Sequence, residues 1–142
     1  MSFDLELVNG DIAFDAQGRL ELVRDTDKLT QDVLKILETT LGSDVFDQNY
    51  GVSVNQNTVG QVIANNSIPA QVQAEIQGQL VKLQQEQQAL ASVQVITPAE
   101  RIQLINNVTV VRDSIEPRQL NISIQLTAQN TTPITINTTV TL

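Results

Sequence analysis

The chain has no cysteine, no histidine and no tryptophan. Without cysteine there is no disulfide and no thiolate nucleophile, and without histidine there is no Ser-His or Cys-His couple for acyl transfer. A zinc centre would have to be assembled from carboxylates alone, which is not how such sites are built; no cofactor is expected. Aromatic residues make up 3% of the sequence, one Tyr and three Phe, so the platforms on which bases or sugar rings stack are nearly missing. Basic residues are scarce as well: 8 Lys and Arg stand against 16 Asp and Glu, a formal charge of −8. Phosphate neutralisation needs clustered cations, which argues against a nucleic-acid partner. No run approaches the roughly 18 apolar residues of a membrane-spanning helix, and Met1-Ser2-Phe3-Asp4 lacks the basic and apolar regions of a secretion signal. The expectation is a protein made and initially kept in a cytoplasm, with no membrane partner.

What remains is a chain of 142 residues, enough for a single domain over residues 1–142 with a core of its own. Residues 3–24 read as a small β-meander. Phe3, Leu5 and Leu7 alternate with Asp4 and Glu6, Asn9-Gly10 marks a tight turn, and a second turn at Asp15-Ala16-Gln17-Gly18 leads into Leu20 and Leu22. The period then changes. Leu29, Val33, Ile36, Leu37 and Leu41 fall on one face of a helix over 26–41, with Thr26 or Asp27 to cap its start and Gly42 its end. A polar loop around Val45, Phe46 and Tyr50 follows, then a short helix over 57–66. Ser67 and Pro69 open the longest helix, whose apolar stripe is Val72, Ile76, Leu80, Leu83 and Leu90. Gln87 interrupts that stripe, and the run Gln84–Gln88 reads as its solvated face. A further helical turn is expected from Pro98 to Asn106.

The C-terminal third alternates most cleanly. Leu120, Ile122, Ile124, Leu126 and Ala128 form one face, a turn falls at Asn130-Thr131-Thr132-Pro133, and Ile134, Ile136, Thr138 and Val140 resume the pattern. Val108–Ile115 supplies a third strand. A ten-residue strand spans roughly 34 Å, about the length of a 23-residue helix, so the long helix and the hairpin match. The fold class is therefore α+β: amphipathic helices packed on one face of a mainly antiparallel sheet with a long C-terminal β-hairpin. The last strand carries little of the charge or proline by which sheets block edge pairing, which suggests that a partner adds a strand there. Ile134, Ile136, Thr138 and Val140 are the candidate contacts.

Between the strands stands Glu116-Pro117-Arg118. Proline cannot donate to a ladder and belongs at edges, bulges or strand starts, so the flanking charges are held in a fixed place. Arg118 offers a planar fork that pairs bidentately with a carboxylate or binds the carbonyls at a helix C-terminus. Two readings stand side by side: a Glu116–Arg118 surface pair at a bulge, contributing about 0 to 1 kcal/mol, or an interface.

The order Gly10-Asp11-Ile12, Gly18-Arg19-Leu20, the Leu29–Leu41 helix closed by Gly42, Tyr50-Gly51, and Glu116-Pro117-Arg118 leading into Leu120-Asn121-Ile122 resembles the sheath initiator, or baseplate wedge protein, of contractile tails. That family has relatives in type VI secretion and other contractile injection systems, and some members are labelled lysozyme-like. The resemblance extends over roughly residues 8–128. It implies a virion tail baseplate protein, assembled in the host cytoplasm, that docks on baseplate wedge core proteins and templates the first ring of tail sheath protein, with tube or hub proteins as additional candidates. It also implies that Glu116, Pro117 and Arg118 contact the wedge. The alternative is a non-catalytic adaptor of the same fold. Glycoside hydrolysis would need two carboxyl groups about 5 to 9.5 Å apart, one with a raised pKa. Glu38, Asp44, Asp47, Asp113 and Glu116 are the candidates, nothing in the sequence brings two of them together, and no enzymatic activity is expected.

Overall fold

A computed structural model describes residues 3–53 and 67–141. The short helix expected over 57–66, and Leu142, lie outside the described residues.

The N-terminal segment forms β1 (Asp4–Leu5), β2 (Leu7–Val8), β3 (Asp11–Ile12) and β4 (Leu22–Val23), with β1 paired to β4 and β2 to β3, both antiparallel. Asn9 and Gly10 both have positive φ, +53° and +82°, as a two-residue hairpin turn requires. The alternation read in this segment is real, but Phe3, Ile12, Phe14, Leu20 and Leu22 face solvent. The segment is tied to the rest of the molecule through polar groups instead. Gln31, buried in the following helix, accepts from Leu7 N and donates to Leu5 O, each at 2.8 Å. Lys35 pairs with Asp4 at 2.6 Å.

Helix α1 (Asp25–Glu38) buries Leu29, Val33, Ile36 and Leu37. The capping expected of Thr26, Asp27 and Gly42 is not how it is bounded. The helix starts at Asp25 and ends where Thr39 turns extended, Thr39 N donating back to Lys35 O at 3.0 Å. Helix α2 (Ile68–Ala91) buries Ile68, Val72, Ile76, Leu80 and Gln87. Its stripe departs from the expected one at the C-terminal end. Leu90 is exposed, because the helix runs past the sheet it covers, and Gln87 takes the inward position.

A single 3₁₀ turn, Pro98–Glu100, leads into the main sheet of β5 (Ile102–Arg112), β6 (Gln119–Ala128) and β7 (Pro133–Thr141), antiparallel in that spatial order. The helical turn expected up to Asn106 is thus strand from Ile102 onward. Two register shifts, at Ile102/Leu104 and Ile105/Asn107, break the two-residue period there and hide the strand in the sequence. The inner face of β6, Leu120, Ile122, Ile124, Leu126 and Ala128, is exposed by 2% or less at every position. It shares one core cluster with Val108 and Val110 of β5, Ile134 and Ile136 of β7, Leu29, Val33 and Leu37 of α1, and Ile68, Val72, Ile76 and Leu80 of α2. This is the α+β layering expected: helices on one face of an antiparallel sheet.

Gln87 closes the layers at the start of β5. Only 6% exposed, it donates to Glu100 O and accepts from Ile102 N, both at 2.9 Å. Gln84, one turn earlier, donates to Gln103 O at 3.0 Å. The glutamine run is therefore a fastener between helix and strand as well as a wetted surface. Replacing Gln87 with Ala strands two buried main-chain groups and is expected to cost roughly 2 to 4 kcal/mol in denaturant unfolding, while Gln84→Ala, at a wetter position, costs less.

Tyr50-Gly51 closes a second joint. Val52 N donates to Thr39 O and Leu41 N to Val52 O, both at 3.0 Å, so the chain returns beside the end of α1. Gly51 has φ +99°, and a methyl there would run into the Thr39 carbonyl. Gly51→Ala is expected to destabilise the fold by about 2 kcal/mol or more, read as a lowered urea midpoint at unchanged m-value.

Candidate functional site

The Glu116-Pro117-Arg118 triplet occupies the turn between β5 and β6, at the end of the sheet. Pro117 is the second residue of a tight turn closed by Gln119 N donating to Glu116 O at 2.9 Å, the position that its fixed φ favours. The turn is held from below by Asp113, which the sequence offers only as a candidate carboxylate, and by Arg112. Asp113 Oδ1 accepts from Ile115 N at 2.8 Å and from Glu116 N at 2.9 Å, and Oδ2 accepts from Asn121 Nδ2 at 3.1 Å. Arg112 Nη1 donates to Pro117 O at 2.8 Å. The signal was available: an Asp two and three residues ahead of the amides it binds is the pattern of an Asx turn.

Glu116, Pro117 and Arg118 are all exposed, and Ile115 beside them is 91% exposed. Among the described residues no ion pair joins Glu116 to Arg118; the nearest link is Arg118 N to Glu116 Oε1 at 3.5 Å. The surface-pair reading therefore has no support, and the guanidinium projects from a braced turn.

The second surface is the outer edge of β7, which among the described residues pairs with β6 on one side only. Ala128 N donates to Thr132 O, and Asp113 N to Gln119 O, which together set the phase of the ladder. Even-numbered residues of β7 direct their main chain to β6, and Thr135, Asn137, Thr139 and Thr141 direct theirs outward. Pro133, which has no N–H, falls on the outward set at the start of the strand. The side chains proposed from sequence lie on the other face of this arrangement. Ile134 and Ile136 are buried in the core at 8% and 4% exposure, and Thr138 and Val140 are partly buried on the same side. What the edge offers is main chain.

The carboxylates are dispersed. Asp44 Oδ1 accepts from Phe46 N and Asp47 N, and Asp47 accepts from Asn49 N and pairs with Lys82 at 2.5 Å. The Lys82 ammonium holds the Asp47 carboxyl below the usual range, and the Glu116 and Ile115 amides do the same for Asp113. A general acid needs the opposite displacement. Glu21 is displaced upward, by its hydrogen bond to Glu6, but the two acids are in mutual contact with no room between them for a glycosidic bond. Tyr50 is half-buried, and its burial pushes the phenol up. Glu38 ends α1. Among the described residues, no three potential metal ligands converge, and no helix is long and apolar enough to cross a membrane.

The α+β architecture, with a braced turn at one end and an open edge on its last strand, matches a known fold. A solved structure from Geobacter sulfurreducens, provisionally described as a tail lysozyme, superposes with a TM-score of 0.61 at 17% identity, covering 82% of this chain and 89% of that one. At that identity the match shows the fold alone. No curated protein matches the chain. The family model of the contractile injection system sheath initiator matches residues 1–88, and the chain belongs to that family. It is thus a structural component of a contractile tail, associated with sheath and baseplate. The matched span includes α1, Tyr50-Gly51 and most of α2 and ends before the main sheet, so Glu116-Pro117-Arg118 lies beyond it.

Because the folded pKa of Asp113 lies below its ordinary 3.8, the bracing is complete above that value and is lost as pH falls below it. Backbone amide shifts of Ile115 and Glu116 are expected to move together on acidification below pH 3.8, and Asp113→Ala should release both amides already at neutral pH.

Proposed function

We propose that this chain is the joint between wedge and sheath in a contractile tail: the Glu116-Pro117-Arg118 turn docks on the wedge core and the free edge of β7 takes the first sheath strands. The observation that carries the reading is the outward main chain of Thr135, Asn137, Thr139 and Thr141. Among the described residues these main-chain groups have no strand partner, and such a row along a nine-residue strand is a template for strand addition. The braced turn supports the other half. Its guanidinium is free to meet a carboxylate or a helix C-terminus, its backbone is already ordered, and Ile115 adds an apolar anchor beside it, so little entropy is lost on docking. The role is assembly rather than catalysis, since Asp47 and Asp113 serve as hydrogen-bond acceptors for the loops they sit in and the Glu6–Glu21 pair lacks the separation that glycoside hydrolysis needs.

The two contacts separate by mutation. Arg118→Ala should weaken wedge binding by about 2 kcal/mol or more without lowering the melting temperature. Thr139→Pro removes an outward N–H and leaves the β6 ladder intact, so it should keep wedge incorporation and stop sheath polymerisation. The readout is the composition of particles purified from cells that produce the whole tail. Loss of the wedge in Thr139→Pro, or of neither partner in folded Arg118→Ala, would overturn the assignment of contacts. Wild-type protein that stays in the soluble pool would point to an adaptor instead.

A further inference from the structure

We propose that a trough beside β7 selects the strand that adds there, admitting an extended segment of another protein that carries Lys or Arg next to an apolar residue on its inward face. The inference rests on the reading of β7 as a strand-accepting edge. Two adjoining clefts run along that edge. The larger, about 480 Å³, lies between Asn137 and Thr138 on one side and α1 on the other, with Glu6 and Leu7 at its N-terminal wall. The smaller, about 280 Å³, continues along Thr138–Thr141 against Leu37 and Glu38. Thr138 and Glu38 line both clefts, so one trough follows the edge from Asn137 to Thr141.

Helix α1 lends this trough one face, Asp27, Thr30, Gln31, Leu34 and Glu38, at the i, i+3, i+4, i+7 and i+11 spacing of a single stripe. Gln31 is committed to the main chain of Leu5 and Leu7. Lys35, the cation at this wall, is held by Asp4 at 2.6 Å and Asp32 at 3.3 Å. Glu6, Asp27 and Glu38 form no ion pair among the described residues, and partly buried Leu34 sits among them. A strand added to β7 lies about 4.8 Å from it, which directs its inward side chains into this trough. Acidic side chains there would meet like charge. A Lys or Arg would set its stem along Leu34 and its charged head at Glu38 or Glu6. A second copy presenting its own β7 does not satisfy the requirement, because Pro133–Thr141 contains no basic residue.

The test uses isotopically labelled protein titrated at low salt with two synthetic ten-residue peptides in which every second residue is Thr and the positions between alternate Val with Lys in one and Val with Glu in the other, so that one face carries both residue types. Backbone shifts of Thr135, Asn137, Thr139 and Thr141 report edge pairing. The Lys peptide is expected to bind at those amides at least tenfold more tightly than the Glu peptide. Glu38→Gln should reduce that preference about threefold, and Glu86→Gln, the same charge change on α2 away from the trough, should leave it unchanged. Equal binding of both peptides at the edge, or equal effects of Glu38→Gln and Glu86→Gln, overturns the selection by charge while the strand-accepting edge stands. Absence of edge shifts with either peptide, or binding that survives in Thr139→Pro, overturns the edge reading together with the inference.

Discussion

The dry contact between the inner face of β6 and the two helices is what the remaining structure depends on. β6 is paired on both sides, and its five inward side chains are almost fully excluded from water. A one-residue slip would turn all five toward solvent, so the register cannot drift. Fixing β6 fixes the phase of β7, and the phase of β7 decides which main-chain groups face outward. The availability of the edge is therefore a consequence of core packing, even though none of the groups that form the edge is in the core.

The same register couples the two proposed contacts. Gln119, which closes the Glu116-Pro117-Arg118 turn, stands opposite Thr141 at the end of β7. The turn and the last outward amide thus sit at the same end of one sheet, separated by a single strand spacing. Charge is arranged around this frame rather than within it. The outward face of β6 and β7 is Asn, Ser, Thr and Gln, whereas the carboxylates gather on the N-terminal strands, on α1 and in the loops. A partner approaching the sheet meets a neutral surface, and one approaching along the edge meets an acidic wall.

Much of this was legible in the sequence. The alternation in residues 119–128 and 133–141 names the core face of both strands correctly, and the helical stripes of α1 and α2 emerge from their spacing. Three features were not legible, each for a physical reason. The first half of β5 is bulged twice, so its pattern has no two-residue period. Gln31 and Gln87 look like solvated helix residues, because a glutamine declares itself a main-chain partner only when a strand end is brought beside it by tertiary folding. The N-terminal strands alternate as expected, yet Phe3, Ile12, Phe14, Leu20 and Leu22 face out while Val23 is buried, since alternation says which residues share a face and not which face is covered. The organisation of the β5–β6 turn lay in between: the proline and its flanking charges stand out, whereas Asp113, which orders them, reads in the sequence only as a candidate carboxylate for catalysis.

The two buried glutamines carry one more implication. An ion pair between helix and strand would loosen with protonation or with salt. A primary amide has no charge to lose and none to screen. The spacing of α2 from the start of β5 is thus set by a fastener indifferent to the medium, whereas α1 is tied to the N-terminal strands both by Gln31 and by the Lys35–Asp4 ion pair, which is not. The joint between α2 and the start of β5 therefore acts as a gauge block, expected to keep its spacing in any buffer that leaves the core intact.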